Sequence, residues 1–285
     1  MTGRLEGKVA LVTGAGSGLG AAIARRFADE GARVIVSDVN LAAASEVARH
    51  LGGGAVALRI DVADPADWAA VLPAVEDAFG ALHILVNNAG ICLTGSVEEI
   101  SIEDWKRTHA IDLDGVFYGM RSCLPLMRQS GGGAILNISS ISGIVAAGNL
   151  AAYNSAKAAV RHLTKSVALH CAKMGGKITC NSLHPTFIDT PLLDGLTAGQ
   201  AREDVLAKLA RQIPLGRVGV PGDVANAART GPREDRLSGE RSHTSGPYCS
   251  IASSTQSSAT FAGIRPVRNT SMMPPTWNTQ APPFA

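Results

Sequence analysis

Six short runs rich in valine and isoleucine, at 9–12, 34–36, 56–60, 84–86, 134–138 and 178–183, punctuate the first two thirds of the chain. None of them alternates apolar with polar residues, so each reads as a strand buried on both faces. Between them, apolar residues recur at helical spacing and predict helices over 18–30, 41–51, 65–79, 102–128 and 151–173. Strand followed by helix in regular order implies a parallel sheet with right-handed crossovers. The fold class expected is α/β, a doubly wound parallel sheet in a single domain.

At 285 residues the chain holds one large α/β domain with length to spare. Residues 1–228 are read as that domain. From Arg229 onward Ser, Thr, Pro, Gly and Arg dominate, and seven of the 14 prolines fall there. No run of strand length and no helical periodicity is evident in 229–285, so this stretch is expected to be an atypical tail of low order. A formal charge of +2 without any basic run argues against nucleic acid or an anionic membrane as partner, and for a small molecule. The five cysteines are scattered and never spaced as a metal-ligand pair. They fit reduced thiols and a cytoplasmic location, with no metal expected. The apolar stretch at Val9–Val12 breaks at Thr13-Gly14, too soon for a signal peptide or a membrane span.

Directly after the first strand stands Thr13-Gly14-Ala15-Gly16-Ser17-Gly18-Leu19-Gly20. Glycines there let the backbone turn tightly and approach a pyrophosphate, whose charge sits at a helix N-terminus. Gly14, Ser17, Gly18, Leu19 and Gly20 are therefore candidate cofactor contacts. Asp38 ends the second strand 20 residues after Gly18, where a carboxylate accepts hydrogen bonds from an adenosine ribose and repels a 2′-phosphate. With no Arg or Lys at Ser17 or Val39, NAD is expected over NADP. Asp61 and Val62 follow the third strand and are candidates for the adenine end, although Asp61 equally suits a turn or a cap before the Pro65 helix. Asn88, in Asn87-Asn88-Ala89-Gly90, either meets the cofactor or joins neighbouring strands.

Tyr153 and Lys157, four apart at the start of a predicted helix, share one helix face. A phenol of ordinary pKa, ~10, is a weak base at neutral pH. A nearby ammonium, a cationic nicotinamide and the helix N-terminus are each expected to favour the phenolate. Tyr153 then takes a proton from an alcohol, or gives one to a carbonyl, as hydride passes to or from nicotinamide. Ser140 is the candidate donor that holds the substrate oxygen.

In combination these motifs resemble the short-chain dehydrogenase/reductase family. The matching positions are Thr13-Gly14-x-x-x-Gly18-x-Gly20, Asn87-Asn88-Ala89-Gly90, Ser140, Tyr153-x-x-x-Lys157, and Asn181-Ser182-Leu183-His184-Pro185 leading to Ile188-Asp189-Thr190, over residues 5–228. The stretch 134–191 looks most like bacterial hydroxysteroid dehydrogenases and reductases of cyclic secondary alcohols. The resemblance implies a Rossmann-type sheet, a Ser-Tyr-Lys catalytic group and bonding of Lys157 to the nicotinamide ribose. It also implies Ile188 and Thr190 at the carboxamide, and a homodimer or homotetramer on the helices around 102–128 and 151–173.

Two positions depart from the family. Ile111-Asp112-Leu113-Asp114-Gly115 carries an acid where the family usually has an asparagine that holds a relay water. Asp112 still accepts hydrogen bonds from water and Lys157 but lacks the amide donor. Secondly, the text after Ala228 replaces the family's last helix and strand, as a shifted reading frame would, and the sheet is expected to lack its final strand. The function expected is NAD-dependent interconversion of a cyclic or steroid-like secondary alcohol and its ketone. Phe187, Leu192, Leu193 and Leu196 are expected to form an apolar substrate loop. The alternative is an NAD-binding protein whose catalysis is impaired by the altered C-terminus.

Overall fold

The sheet is built around β1 (Val9–Val12), whose four residues are all buried. Val9 and Leu11 pack into one helical layer and Ala10 and Val12 into the other, which is why the strand shows no polar alternation. A computed structural model describes residues 3–175, 177–196, 199–230 and 249–252. Within it β1 pairs in parallel with β2 (Arg33–Asp38), and β2 with β3 (Val56–Arg59). On its other side follow β4 (Ile84–Asn87), β5 (Gly133–Ile138) and β6 (Ile178–Pro185), also parallel. Chain order reverses between β1 and β4, the parallel strands standing in the order β3-β2-β1-β4-β5-β6. That reversal opens a crevice beyond the strands' carboxyl ends, the place where doubly wound sheets bind ligands.

One face is covered by α1 (Gly18–Asp29), α2 (Leu41–Leu51) and α8 (Pro221–Thr230), through side chains such as Ile23, Phe27, Ala44 and Val224. The opposite face is covered by α3 (Pro65–Phe79), α5 (Gly115–Gln129) and α6 (Ala151–Lys173), through Trp68, Val116, Met120 and Val160. Local chemistry marks the ends of these helices. The Asp64 carboxylate accepts from Ala66 N–H and Pro65 opens α3, while Gly80, at φ 69°, closes it in the left-handed conformation that glycine tolerates.

Two expectations are corrected here. The helix predicted over 102–128 is α4 (Ile102–His109) and α5 joined by a wide π-helical turn, Ala110–Asp114. Side-chain periodicity hardly changes across one wide turn, so the pattern reads through it. Secondly, the sheet has a last strand: β7 (Cys249–Ala252) pairs antiparallel with β6, Pro185 opposite Cys249 and Ser182 opposite Ala252. Four residues with a single large apolar side chain carry no period, yet their backbone groups suffice for a ladder. Before it, α8 runs to Thr230 and buries Val224, Ala225 and Ala228. The rest of the expected tail, 231–248 and 253–285, lies outside the described residues. A further helix, α7 (Arg202–Ala210), follows the segment over the crevice. Among the described residues no helix is long and apolar enough to cross a membrane.

Candidate active site

The glycine turn follows β1 as expected, and its backbone shows why glycine is needed. Gly14 has φ 60°, and a Cβ there would lie 2.7 Å from the Ala89 Cα. Gly18, at φ 55°, opens α1. Ser17 precedes it in extended conformation with its side chain capping nothing, so the first N–H groups of α1 remain available to an anion. Thr13 Oγ1 ties the turn to β4, donating to the Val86 carbonyl and accepting from the Asn88 and Ala89 N–H groups.

The crevice forms a cavity of about 730 Å³. Gly14, Ser17, Gly18, Leu19, Asp38, Asp61, Val62, Asn88, Asp112, Ser140, Tyr153, Lys157, Ile188 and Thr190 all line it, as do Phe187, Leu192 and Leu193. Gly20 does not. It is buried where a Cβ would fall 2.3 Å from the Gly14 carbonyl oxygen, so its role is close packing of helix on turn.

Several of these residues spend their polar atoms on the fold. Asp38 accepts from Gly16 N–H at 2.9 Å and from Asn40 N–H at 3.0 Å, which aims its carboxylate across the glycine turn. Asp61 accepts from Ala63 N–H and begins a turn, the cap of α3 being Asp64. Asn88 Nδ2 donates to the Thr13 and Gly14 carbonyls. Asn87 Nδ2 donates to Asn137 Oδ1 at 2.8 Å and joins β4 to β5.

At the other end Tyr153 and Lys157 rise from the first turns of α6, both buried. Lys157 Nζ lies 5.6 Å from the centre of the Tyr153 ring, donates to the Ile138 carbonyl at 3.2 Å and sits 3.0 Å from Asp112 Oδ2. Asp112 is fully buried on the π-helical turn, and its Oδ1 accepts from Ile91 N–H at 2.8 Å. Ser140 follows β5. Its hydroxyl accepts from Ser142 N–H, and its influence on Tyr153, the smallest of those acting there, lowers the proton affinity of the phenol.

The electrostatics differ from the simple expectation for Tyr153. Burial is the largest influence and raises its pKa, the Lys157 ammonium pulls it down, and Asp112 and Cys92 raise it again, leaving the phenol above its ordinary value. Burial alone would lower Lys157, but Asp112 and Tyr153 outweigh it and keep the ammonium. Burial likewise lifts Asp112, against the pull of Lys157, Ile91 N–H and His109.

Sequence reasoning missed Cys92, whose thiol lines the cavity and is pushed up to about 11 by burial. It also gave no role to His184. Buried on β6, His184 meets Ser182 Oγ through Nε2 at 2.9 Å and the Ser140 carbonyl through Nδ1 at 3.2 Å. Its place in the stretch Asn181-Ser182-Leu183-His184-Pro185 was the available signal. Among the described residues no three His, Cys, Asp or Glu side chains gather as a metal site.

A family model described as enoyl-(acyl carrier protein) reductase matches residues 14–230. The chain belongs to the short-chain dehydrogenase/reductase family. Curated relatives in the family include the NADP-dependent (R)-specific alcohol dehydrogenase of Lentilactobacillus kefiri, 40% identical over 79% of this chain and 89% of that protein. The 3-beta-hydroxysteroid dehydrogenase of Comamonas testosteroni is 42% identical over 79% of this chain and 88% of that protein. Among solved structures of the family, the 3-ketoacyl-(acyl-carrier-protein) reductase from Brucella melitensis complexed with NADH aligns with a TM-score of 0.73. It is 37% identical and the match covers 79% of this chain and 90% of that one. Membership of the short-chain dehydrogenase/reductase family makes the protein a nicotinamide-dependent oxidoreductase acting on CH–OH groups.

Proposed function

We propose that the protein interconverts a secondary alcohol, cyclic or steroid-like, and its ketone with NAD, and that Tyr153 is the general acid and base. The observation that carries this reading is the convergence of Ser140, Tyr153 and Lys157 on one cavity that presents Asp38 at its far end. The uncapped start of α1 and the close approach at Gly14 suit a pyrophosphate, so the residues fit a dinucleotide. When bound, nicotinamide supplies or accepts the hydride. Ser140 holds the substrate oxygen, Tyr153 exchanges a proton with it, and Lys157 fixes the ribose end while its charge acts on the phenol. Ile188 and Thr190 line the carboxamide end. Gly14, Ser17, Gly18 and Leu19 hold the phosphates, Asp38 the adenosine ribose, and Asp61, Val62 and Asn88 the remaining wall.

NAD rather than NADP rests on Asp38, whose carboxylate would face a 2′-phosphate with no compensating cation at Ser17 or Val39. The cyclic substrate rests on the apolar wall of Phe187, Leu192 and Leu193 and on the relatives named cyclohexanol and hydroxysteroid dehydrogenases. Exposed apolar side chains on α4, α5 and α6, namely Ile102, Trp105, Phe117 and Leu169, support a homodimer or homotetramer. The test is to follow reduced-nicotinamide absorbance with NAD or NADP and a panel of cyclic and linear secondary alcohols. Turnover of cyclic alcohols with NAD is expected. Binding of NAD without turnover of any alcohol or ketone would favour the impaired-protein reading.

A further inference from the structure

We propose that Asp112 neutralises the Lys157 ammonium and thereby keeps Tyr153 a proton donor at neutral pH, which suits the site to carbonyl reduction. The proposal rests on the reading of Tyr153 as the acid and base, and it deepens that reading by assigning a working direction.

The geometry is that of a closed ion pair. Asp112 Oδ2 is 3.0 Å from Lys157 Nζ, and both side chains are almost wholly buried, at 0% and 4% exposure. Their environment leaves little room for solvent. A Cβ on Gly90 would lie 3.1 Å from Asp112 Oδ2 and 3.2 Å from Lys157 Nζ, so the backbone itself forms the wall. The carboxylate is also held from behind by Ile91 N–H. Seen from the Tyr153 ring, the ammonium 5.6 Å away therefore has its counter-charge directly beside it. A lone ammonium stabilises a neighbouring phenolate, whereas a pair of zero net charge does so far less.

Three ionisable groups act on the phenol, and at Asp112 itself burial, which raises the proton affinity, is opposed by Lys157 and Ile91 N–H. Lys157, on α6, pulls the phenol's proton affinity down; Asp112, on the π-helical turn, and Cys92, after β4, push it up. His109, at the end of α4, acts on Asp112. Cys92, with its thiol raised to about 11, stays uncharged through the neutral range. Burial of Tyr153 then dominates and favours the neutral phenol.

The chemical consequence is directional at a given pH. In reduction the carbonyl carbon receives hydride, the carbonyl oxygen receives the Tyr153 proton, and the phenolate regains a proton from water. Oxidation needs the reverse, a phenolate that accepts the alcohol proton. A phenol that holds its proton extends the pH range of reduction upward and confines oxidation to alkaline pH. The overall equilibrium is unchanged.

The test is a spectroscopic titration of Tyr153 in the full chain, with the phenolate absorbance of a Tyr153→Phe variant subtracted at each pH. Asp112→Asn retains the volume and the acceptor for Ile91 N–H but removes the charge. Its Tyr153 is expected to ionise about one pH unit or more below that of the parent. Lys157→Met, which leaves the carboxylate uncompensated, is expected to move the ionisation upward, and serves if Asp112→Asn does not fold. An unmoved or raised Tyr153 titration in Asp112→Asn, or an unmoved or lowered one in Lys157→Met, would overturn the proposal. In kinetics, the parent should reduce ketone at a flat rate through neutral pH and oxidise alcohol only as pH rises. Asp112→Asn should shift both limbs to lower pH by the amount read optically. Because the optical titration needs no substrate, failure to find any turnover would count against the proposed function and leave this inference to be decided by the phenol alone.

Discussion

The His184 imidazole lies between two fixed oxygen atoms, the Ser140 carbonyl 3.2 Å from Nδ1 and the Ser182 hydroxyl 2.9 Å from Nε2. A carbonyl only accepts, so Nδ1 carries the proton and Nε2 accepts from the serine. His184 thereby holds the backbone of Ser140, which lines the same cavity as Tyr153. Replacing His184 with Leu is expected to lower kcat by about tenfold to a hundredfold, as misplacement of a substrate-orienting group does. NAD affinity should hold. Asn, whose amide nitrogen matches the position of Nδ1, should keep most of the activity. If the Leu and Asn variants lose activity equally, the Nδ1 bond is not what matters.

The same histidine makes stability depend on pH. Burial, the largest influence, lowers its pKa from 6.5 to about 4. Between these values the unfolded chain binds the extra proton and the folded one does not. The contribution is complete above about pH 6.5 and is lost as pH falls towards 4, the loss reaching roughly 2–3 kcal/mol at pH 4.5. Urea unfolding of the parent and of His184→Asn at neutral pH and near pH 4.5 checks this. The parent should lose more stability on acidification than the variant, and equal losses would contradict the account.

Tyr153→Phe removes one hydroxyl and almost no volume from a buried ring. Turnover is expected to fall by about 100- to 10,000-fold, the usual contribution of a general acid or base, while dissociation constants for NAD stay close to the parent's. Activity within about threefold of the parent would assign the proton transfer elsewhere.

Asp38 is oriented by Gly16 and Asn40 N–H groups, so removing its charge should change selectivity more than shape. Asp38→Ser is expected to narrow the preference for NAD over NADP by about tenfold or more, by removing a like-charge contact with the 2′-phosphate. Equal preference in parent and variant, measured as kcat/KM for each cofactor, would show that this carboxylate does not set the choice.

Periodicity alone was enough to read six strands and the main helices, because central strands and the helices covering them leave clear patterns in apolar residues, although β3, at the sheet edge, is only partly buried and not buried on both faces as expected. Motif spacing went further. The glycine turn, Asp38, Ser140 and the Tyr153–Lys157 step all reach the same cavity, since each is anchored to the carboxyl end of a strand or the start of a helix. What escaped that reading depends on long-range contact. The π-helical turn that buries Asp112 barely disturbs the helical pattern, and β7 is held by backbone groups that any sequence supplies. Gly20 shares a motif with Gly14 but packs against its carbonyl instead of lining the cavity. The Lys157 ammonium lowers the proton affinity of Tyr153 as expected, but burial and Asp112 oppose it. Four residues along a helix place an ammonium near a phenol, but only the packed chain brings Asp112, 41 residues before Tyr153 in sequence, to 3.0 Å from that ammonium. Charge near a buried group acts through distance and dielectric, and neither is written in the order of residues.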